Sequence, residues 1–123
     1  MTTTTLEDLL KPGAFEAWLE GRKDRSVVGV RANSCACPLA TYLQVSGYPE
    51  AEVYINTVRA APGDDPIELP WRLTLFLRYV DEGVNLRKDK RIRAKAARRL
   101  LTKAEIIDQI KFSGLSYDEY VSR

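Results

Sequence analysis

The sequence predicts an α+β fold: about five helices packed on a small two- or three-stranded sheet, with a basic C-terminal helical extension. Three observations carry this. Apolar residues recur at helical spacing, most fully at Leu73, Phe76, Leu77 and Val80, which stand at i, i+3, i+4 and i+7. Short β-branched runs such as SVVGV at 26–30 fall between the helical stretches. Charge is also divided along the chain. Residues 87–103 hold nine Lys or Arg and one acid, and the remainder holds ten bases and sixteen acids. A segment of formal charge +8 is thus joined to a body of −6, a separation hidden in the net charge of +2. The 123 residues are the length of one domain, read as an α+β core over 1–84 and a basic helical extension over 85–123 of the same domain.

The elements follow in order. Thr5 with Asp8, or Thr4 with Glu7, has the spacing of a capping box, so a short helical turn through Leu6, Leu9 and Leu10 is expected, interrupted by Pro12-Gly13. Phe15, Trp18 and Leu19 then share one helix face, and Gly21 suits a left-handed cap at its end. The run 26–30 reads as a buried strand whose Gly29 marks a bulge or a close approach of two backbones. Pro38 suits the first position of a helix that Gly47 ends, with Leu39, Tyr42 and Leu43 on one face and Cys37 as its N-cap. A strand from Val53 to Ala60, a turn at PGDDP (62–66) and a short extended piece from Ile67 to Leu69 come next. The stretch PWRLTLFLRYVDEG reads as the central helix, opened by Pro70 and closed by Gly83, its apolar face broadened by Trp71, Leu75 and Tyr79. Beyond it the basic segment is helix-compatible, with a thin stripe of Ile92, Ala96 and Leu100 flanked by Ala97 and Leu101. Thr102 and Glu105 form a capping-box pair that divides this region into two helices, the second carrying Ile106, Ile107 and Ile110. A last turn capped by Ser116 and Glu119 holds Tyr117, Tyr120 and Val121.

Composition removes many functions. Without histidine there is no Ser-His-Asp or Cys-His arrangement and no HExxH zinc motif. Two cysteines cannot close a tetrahedral zinc site within one chain. No phosphate-binding glycine loop, dinucleotide fingerprint or EF-hand series is present. No catalytic residue, metal or cofactor is therefore assigned. No apolar stretch approaches the roughly 20 residues of a bilayer span, and the opening MTTTTLEDLL does not read as a secretory signal. A cytoplasmic protein without a membrane partner is expected.

Two leads remain. Cys35 and Cys37, at the N-terminus of a helix, are possible redox thiols, because the helix dipole lowers a thiol pKa there. Against this stand the Cys-x-Cys spacing, the absence of a histidine base and the tendency of small buried cysteines to pack, so both are expected to be mostly packed and unreactive. Arg31 and Asn33 in the same loop offer a weak anion-accepting pocket. The basic segment is the stronger lead. Arg87, Lys88, Lys90, Arg91, Arg93, Lys95, Arg98, Arg99 and Lys103 form a stripe of the kind that contacts nucleic acid, or an acidic protein surface. Arg91, Arg93, Lys95, Arg98 and Arg99 are expected on its free face. The leading expectation is a non-enzymatic binding protein whose basic helix contacts nucleic acid or a ribonucleoprotein. The alternatives are an adaptor or inhibitor that binds protein through that helix or the Tyr-rich C-terminus, and a thiol redox protein. A plain solvated face, its arginines paired with the acidic body, is the outcome without function.

Overall fold

The computed structural model describes residues 5–31, 33–54, 56–82 and 90–113, with side chains to residue 110. Among these, five helices pack on two small antiparallel sheets, an α+β fold. The order is α1 (Leu6–Leu9), α2 (Ala14–Glu20), β1 (Val27–Val30), α3 (Pro38–Val45), β2 (Glu52–Val53), β3 (Thr57–Arg59), β4 (Ile67–Glu68), α4 (Trp71–Asp81), β5 (Arg91–Arg93) and α5 (Ala94–Ser113). The expected closing glycine Gly83, the bases Arg87 and Lys88 and the final turn around Tyr117, Tyr120 and Val121 lie outside the described residues.

Local chemistry explains the starts of the helices. Thr5 and Asp8 make the reciprocal capping box on α1, at 3.1 and 3.3 Å. Cys37 caps α3, its Sγ accepting the Ala40 N–H at 3.4 Å, and Pro38 follows at the first helical position. Pro70 stands one place earlier than expected: with ψ 143° it is the N-cap of α4, and Trp71 is the first helical residue. Gly21 keeps a right-handed φ of −76° rather than a left-handed one, because a turn from Leu19 O to Arg22 N–H at 3.0 Å continues the right-handed path.

Three expectations about the elements are corrected. The strand foreseen over 53–60 is two strands. Val53 pairs with Val58, and both face inward, which an unbroken period of two forbids. A tight turn, closed by the Tyr54 N–H on the Thr57 carbonyl at 2.8 Å, resets the phase. Residues 91–93 are a strand and not helix: Arg91, Ile92 and Arg93 alternate out, in, out against β1. The helix then runs unbroken through Thr102, whose hydroxyl donates to the Arg98 carbonyl at 3.0 Å instead of capping a new start. Its buried stripe is Ala94, Ala97, Leu101 and Ala104, one position round from the predicted Ala96 and Leu100, which are half-buried.

Phe15, Phe76 and Leu73 are fully buried at the centre. The Phe15 ring lies 5.4 Å from Phe76 and 5.3 Å from Tyr42, joining α2, α4 and α3. Leu77 and Leu75 extend this face, while Trp71 stays partly exposed. Helix α5 lies along α4 and α2, so the described part of the basic segment contributes to the core.

Gly29 is both the bulge and the close approach. The β1–β5 register shifts between Val27 and Gly29, and a Cβ built on Gly29 stands 2.4 Å from the Pro38 nitrogen and 2.7 Å from the Cys37 carbonyl carbon. Those neighbours are backbone and cannot swing aside. Gly29→Ala is therefore expected to destabilise the protein by about 1–3 kcal/mol, the cost of forcing atoms into packed space. A urea midpoint equal to that of the wild type would show that β1 does not lie on α3.

A carboxyl pair bridges α2 and α5. Glu16 accepts the Gly13 N–H at 3.1 Å and pairs with the Arg72 guanidinium at 3.4 Å, and Glu105 of α5 reaches the same carboxylate. Burial and the Glu16 carboxylate push Glu105 up to about 7; Arg72 opposes this and Asp108 adds to it. Glu16 is lowered by its bonds to Glu105 and Arg72 against the opposing effect of burial. On α3, the Tyr42 hydroxyl donates to the Leu9 carbonyl at 2.9 Å, and burial and the Glu16 charge raise its pKa. A carboxyl group raised in the folded state binds its proton more tightly there than in the unfolded chain. Its contribution is complete below the unfolded value and is lost as pH rises through about 7. Glu105→Gln keeps a neutral partner for Glu16 at every pH. Its melting temperature relative to wild type is expected to rise between pH 5 and pH 8; a constant difference would show that Glu105 does not titrate in that window.

Candidate functional site

The described part of the basic segment, from Lys90 on, does not form one stripe. Arg98 turns inward and donates to the Leu19 and Arg22 carbonyls at 3.0 and 2.9 Å and to the Asp24 carboxylate, so it stands apart from the free face expected of it. Lys103 sits 4.1 Å from the centre of the Tyr79 ring on α4. Lys90 is exposed just before β5 and its carbonyl accepts the Arg31 N–H at 2.7 Å. Arg91 is exposed at the far end of β5.

Three of the predicted residues, Arg93, Lys95 and Arg99, do come together, in a cleft of about 470 Å³. The fold adds a fourth base that sequence reasoning missed. Arg25, in the α2–β1 loop, lines the same cleft, and its carbonyl accepts from the Arg93 guanidinium at 2.6 Å. The signal was present in GRKDRS, three bases around one aspartate, but a run that short gains meaning only when pairing brings it beside β5. That pairing is tight. The loop carbonyls of Ser26 and Asp24 accept the first two N–H groups of α5, from Ala94 at 2.9 Å and Lys95 at 3.2 Å.

The electrostatics of the cleft run one way. Its single carboxylate among the described residues, Asp24, is bound to Arg98. The N-terminus of α5 carries the positive end of the helix dipole, and its first turn holds no acid. Cations at such a position are each unfavourable by about 0.3–1 kcal/mol. The arrangement suits a phosphate-like or carboxylate-like anion, which relieves repulsion among groups the fold holds together.

The thiols differ from one another. Cys37 is buried and its pKa is pushed up to about 11, first by burial, with the charges of Asp81 and Cys35 adding to it; the Ala40 and Leu39 N–H groups pull the other way and lose. Cys35 is exposed, against the expectation that both pack, because it precedes the cap in a loop where Asn33 Oδ1 accepts its N–H at 3.0 Å. Arg31 does not join Asn33 in an anion pocket. It is buried, and its guanidinium donates to the Val80 carbonyl at the end of α4. Among the described residues, no group of three or more possible metal ligands forms. No helix among them is long and apolar enough to cross a membrane.

Comparison with family models, curated proteins and solved structures finds no match to this chain.

Iodoacetamide at neutral pH is expected to label Cys35 in the folded protein at the rate of an ordinary exposed thiol. Cys37 should react only on unfolding, since burial and a pKa of about 11 leave almost no thiolate. Rapid labelling of Cys37 in Cys35→Ser would overturn this and favour a thiol-dependent role.

Proposed function

We propose that the chain is a non-enzymatic binding protein that holds the phosphate backbone of a nucleic acid in the cleft between the α2–β1 loop and the start of α5. One observation carries the reading. Arg25, Arg93, Lys95 and Arg99 come from two distant segments to one cleft, at the positive end of a helix, with the only carboxylate lining it among the described residues already bound to Arg98. A solvated face whose charges pair with the acidic body would not leave such an imbalance. Phosphate contacts of this kind set affinity and orientation without reading sequence. Binding is therefore weak and largely sequence-blind.

Neutralising about four phosphates gives a log–log salt slope near −4 on a duplex and near −3 on a single strand. The double change Arg25→Glu with Arg99→Glu is expected to abolish the shift of a labelled oligonucleotide at low salt. Its circular dichroism and melting temperature should stay close to wild type. Arg98→Ala is the contrasting variant: it removes a tie between α5 and the end of α2, so its melting temperature falls. If folded wild type shifts no DNA or RNA of any length at low salt, the reading fails and the cleft belongs to an acidic protein surface, making the chain an adaptor or inhibitor.

A further inference from the structure

The loop that lines the basic cleft also lines a second one. Asp24 and Arg25 belong to the first, whereas Arg22, Lys23 and Ser26 line a cleft of about 460 Å³ between the end of α2, the start of β1 and α3. The loop is held in shape from within. Its carbonyls from Arg22 to Ser26 all accept from the protein itself. In order, the donors are Arg98 at 2.9 Å, the Ser26 hydroxyl at 2.6 Å, the Lys95 N–H at 3.2 Å, Arg93 at 2.6 Å and the Ala94 N–H at 2.9 Å. The backbone acceptors are thus turned inward, and the outer surface of the loop is made by its side chains.

The second cleft differs from the first in its lining. Val27 and Val45 are 43% and 67% exposed, two of the four large apolar side chains that the described residues leave open to solvent, and both fall here. Trp18 stands beside them, half-buried. Its ring is fixed by Phe15 at 6.0 Å and Tyr42 at 5.5 Å, and the Arg22 guanidinium lies 5.5 Å from its centre. Aromatic rings and guanidinium planes are the surfaces on which unpaired bases stack. The two lining hydroxyls are already engaged, Ser26 with the Lys23 carbonyl and Thr41 with the Ala36 carbonyl at 3.3 Å. A base in this cleft is therefore held by its face and not read at its edge.

We propose, resting on the phosphate reading of the basic cleft, that the nucleic acid is a single strand: its phosphates sit among Arg25, Arg93, Lys95 and Arg99, and a base of the same strand enters the cleft of Trp18, Val27 and Val45, with Arg22 and Lys23 at the crossing. Lys23 and Arg25 are two residues apart, so their Cα atoms lie within about 7 Å of each other, and one strand can pass from the first cleft to the second. A duplex offers the protein its phosphates alone, because its bases are paired and stacked inside it.

The test uses the full chain at low salt and three fluorescein-labelled probes: oligothymidylate, an abasic strand of the same length and phosphate count, and the duplex of that oligothymidylate with oligoadenylate. Fluorescence anisotropy is expected to show the single strand bound at least about fivefold more tightly than the abasic strand, the lower end of what one stacked base contributes. It should also bind more tightly than the duplex, although the duplex carries more charge. Val27→Ser with Val45→Ser alters two exposed side chains and no charge. This variant is expected to weaken oligothymidylate about threefold or more and to leave the abasic strand and the duplex unchanged. In Trp71→Phe, Trp18 is the one indole left, and its emission should be quenched on saturation with oligothymidylate but not with the abasic strand. Equal affinity for the three probes would overturn the single-strand proposal and leave the phosphate reading standing. So would an unchanged double serine variant together with unaltered Trp18 emission. If none of the probes binds, the phosphate reading itself falls and the single-strand proposal falls with it.

Discussion

The backbone of Gly29 lies on the first residues of α3, and the placing of the loops on either side of β1 depends on that contact. A side chain there would collide with Cys37 and Pro38. Because it is absent, β1 runs directly beneath the start of α3 and still pairs with β5 on its edge. The Val30 N–H reaches the Ala36 carbonyl at 2.7 Å, which folds the intervening loop back over the strand. On one side this seats Cys37 and Ser34 beside α4, around a cavity of about 580 Å³. On the other, pairing with β5 delivers the α2–β1 loop to the first turn of α5, and the basic cleft follows. One glycine thus decides where the Cys37 loop and the basic loop are displayed.

A second constraint recurs at the helix ends. The last carbonyls of a helix lack partners within it. Three arginines from elsewhere in the chain supply them: Arg72 donates to Leu10 after α1 at 2.9 Å, Arg98 to Leu19 of α2 at 3.0 Å, and Arg31 to Val80 of α4. Each brings a cation to a negative pole and joins elements far apart in sequence. Arg72 and Arg31 are buried by this role, and Arg98 is largely enclosed. A basic residue here is therefore a fastener or a surface charge according to whether a helix end lies within its reach. Arg98 and Arg99 are neighbours and fall on opposite sides of that division.

This is also why the sequence disclosed some features and withheld others. The capping box at Thr5, the Cys37 cap, the bulge at Gly29 and the face of Phe76 and Leu77 are written in residues that act on near neighbours, and all were legible. The turn that separates Val53 from Val58 was not: Asn56 is a turn-forming residue, but it stands alone within a β-branched run, and the phase change shows only in pairing. The strand at 91–93 was hidden by length. Three residues, Arg-Ile-Arg, continue a helical stripe as easily as they alternate, and only β1 decides. Thr102 and Glu105 had the spacing of a cap, yet Leu101 and Ala104 are buried on the inner face, and interrupting the helix would have exposed them. The site was legible as positive charge but not as a place. Sequence supplied Arg93, Lys95 and Arg99, whereas Arg25 enters only through tertiary pairing.

The start of α5 is built against its own electrostatics. Arg93, Lys95 and Arg99 stand in or within two residues of its first turn, at the helix's positive pole, and that turn itself holds no acid. The segment is held instead by groups indifferent to charge: Ile92 fully enclosed beneath β1, Ala94, Ala97 and Leu101 against the core, and the carbonyls of Ser26 and Asp24 on its first N–H groups. Burial and backbone bonding oppose a repulsion that each added cation enlarges. An anion seated among Arg25, Arg93, Lys95 and Arg99 removes part of that repulsion without moving the backbone. By linkage, binding there stabilises the same β1–β5–α5 junction that creates the cleft. Salt weakens the internal repulsion and the attraction for the proposed anion together, so any stabilisation by such an anion would be largest at low ionic strength, where the charges of the junction are least screened.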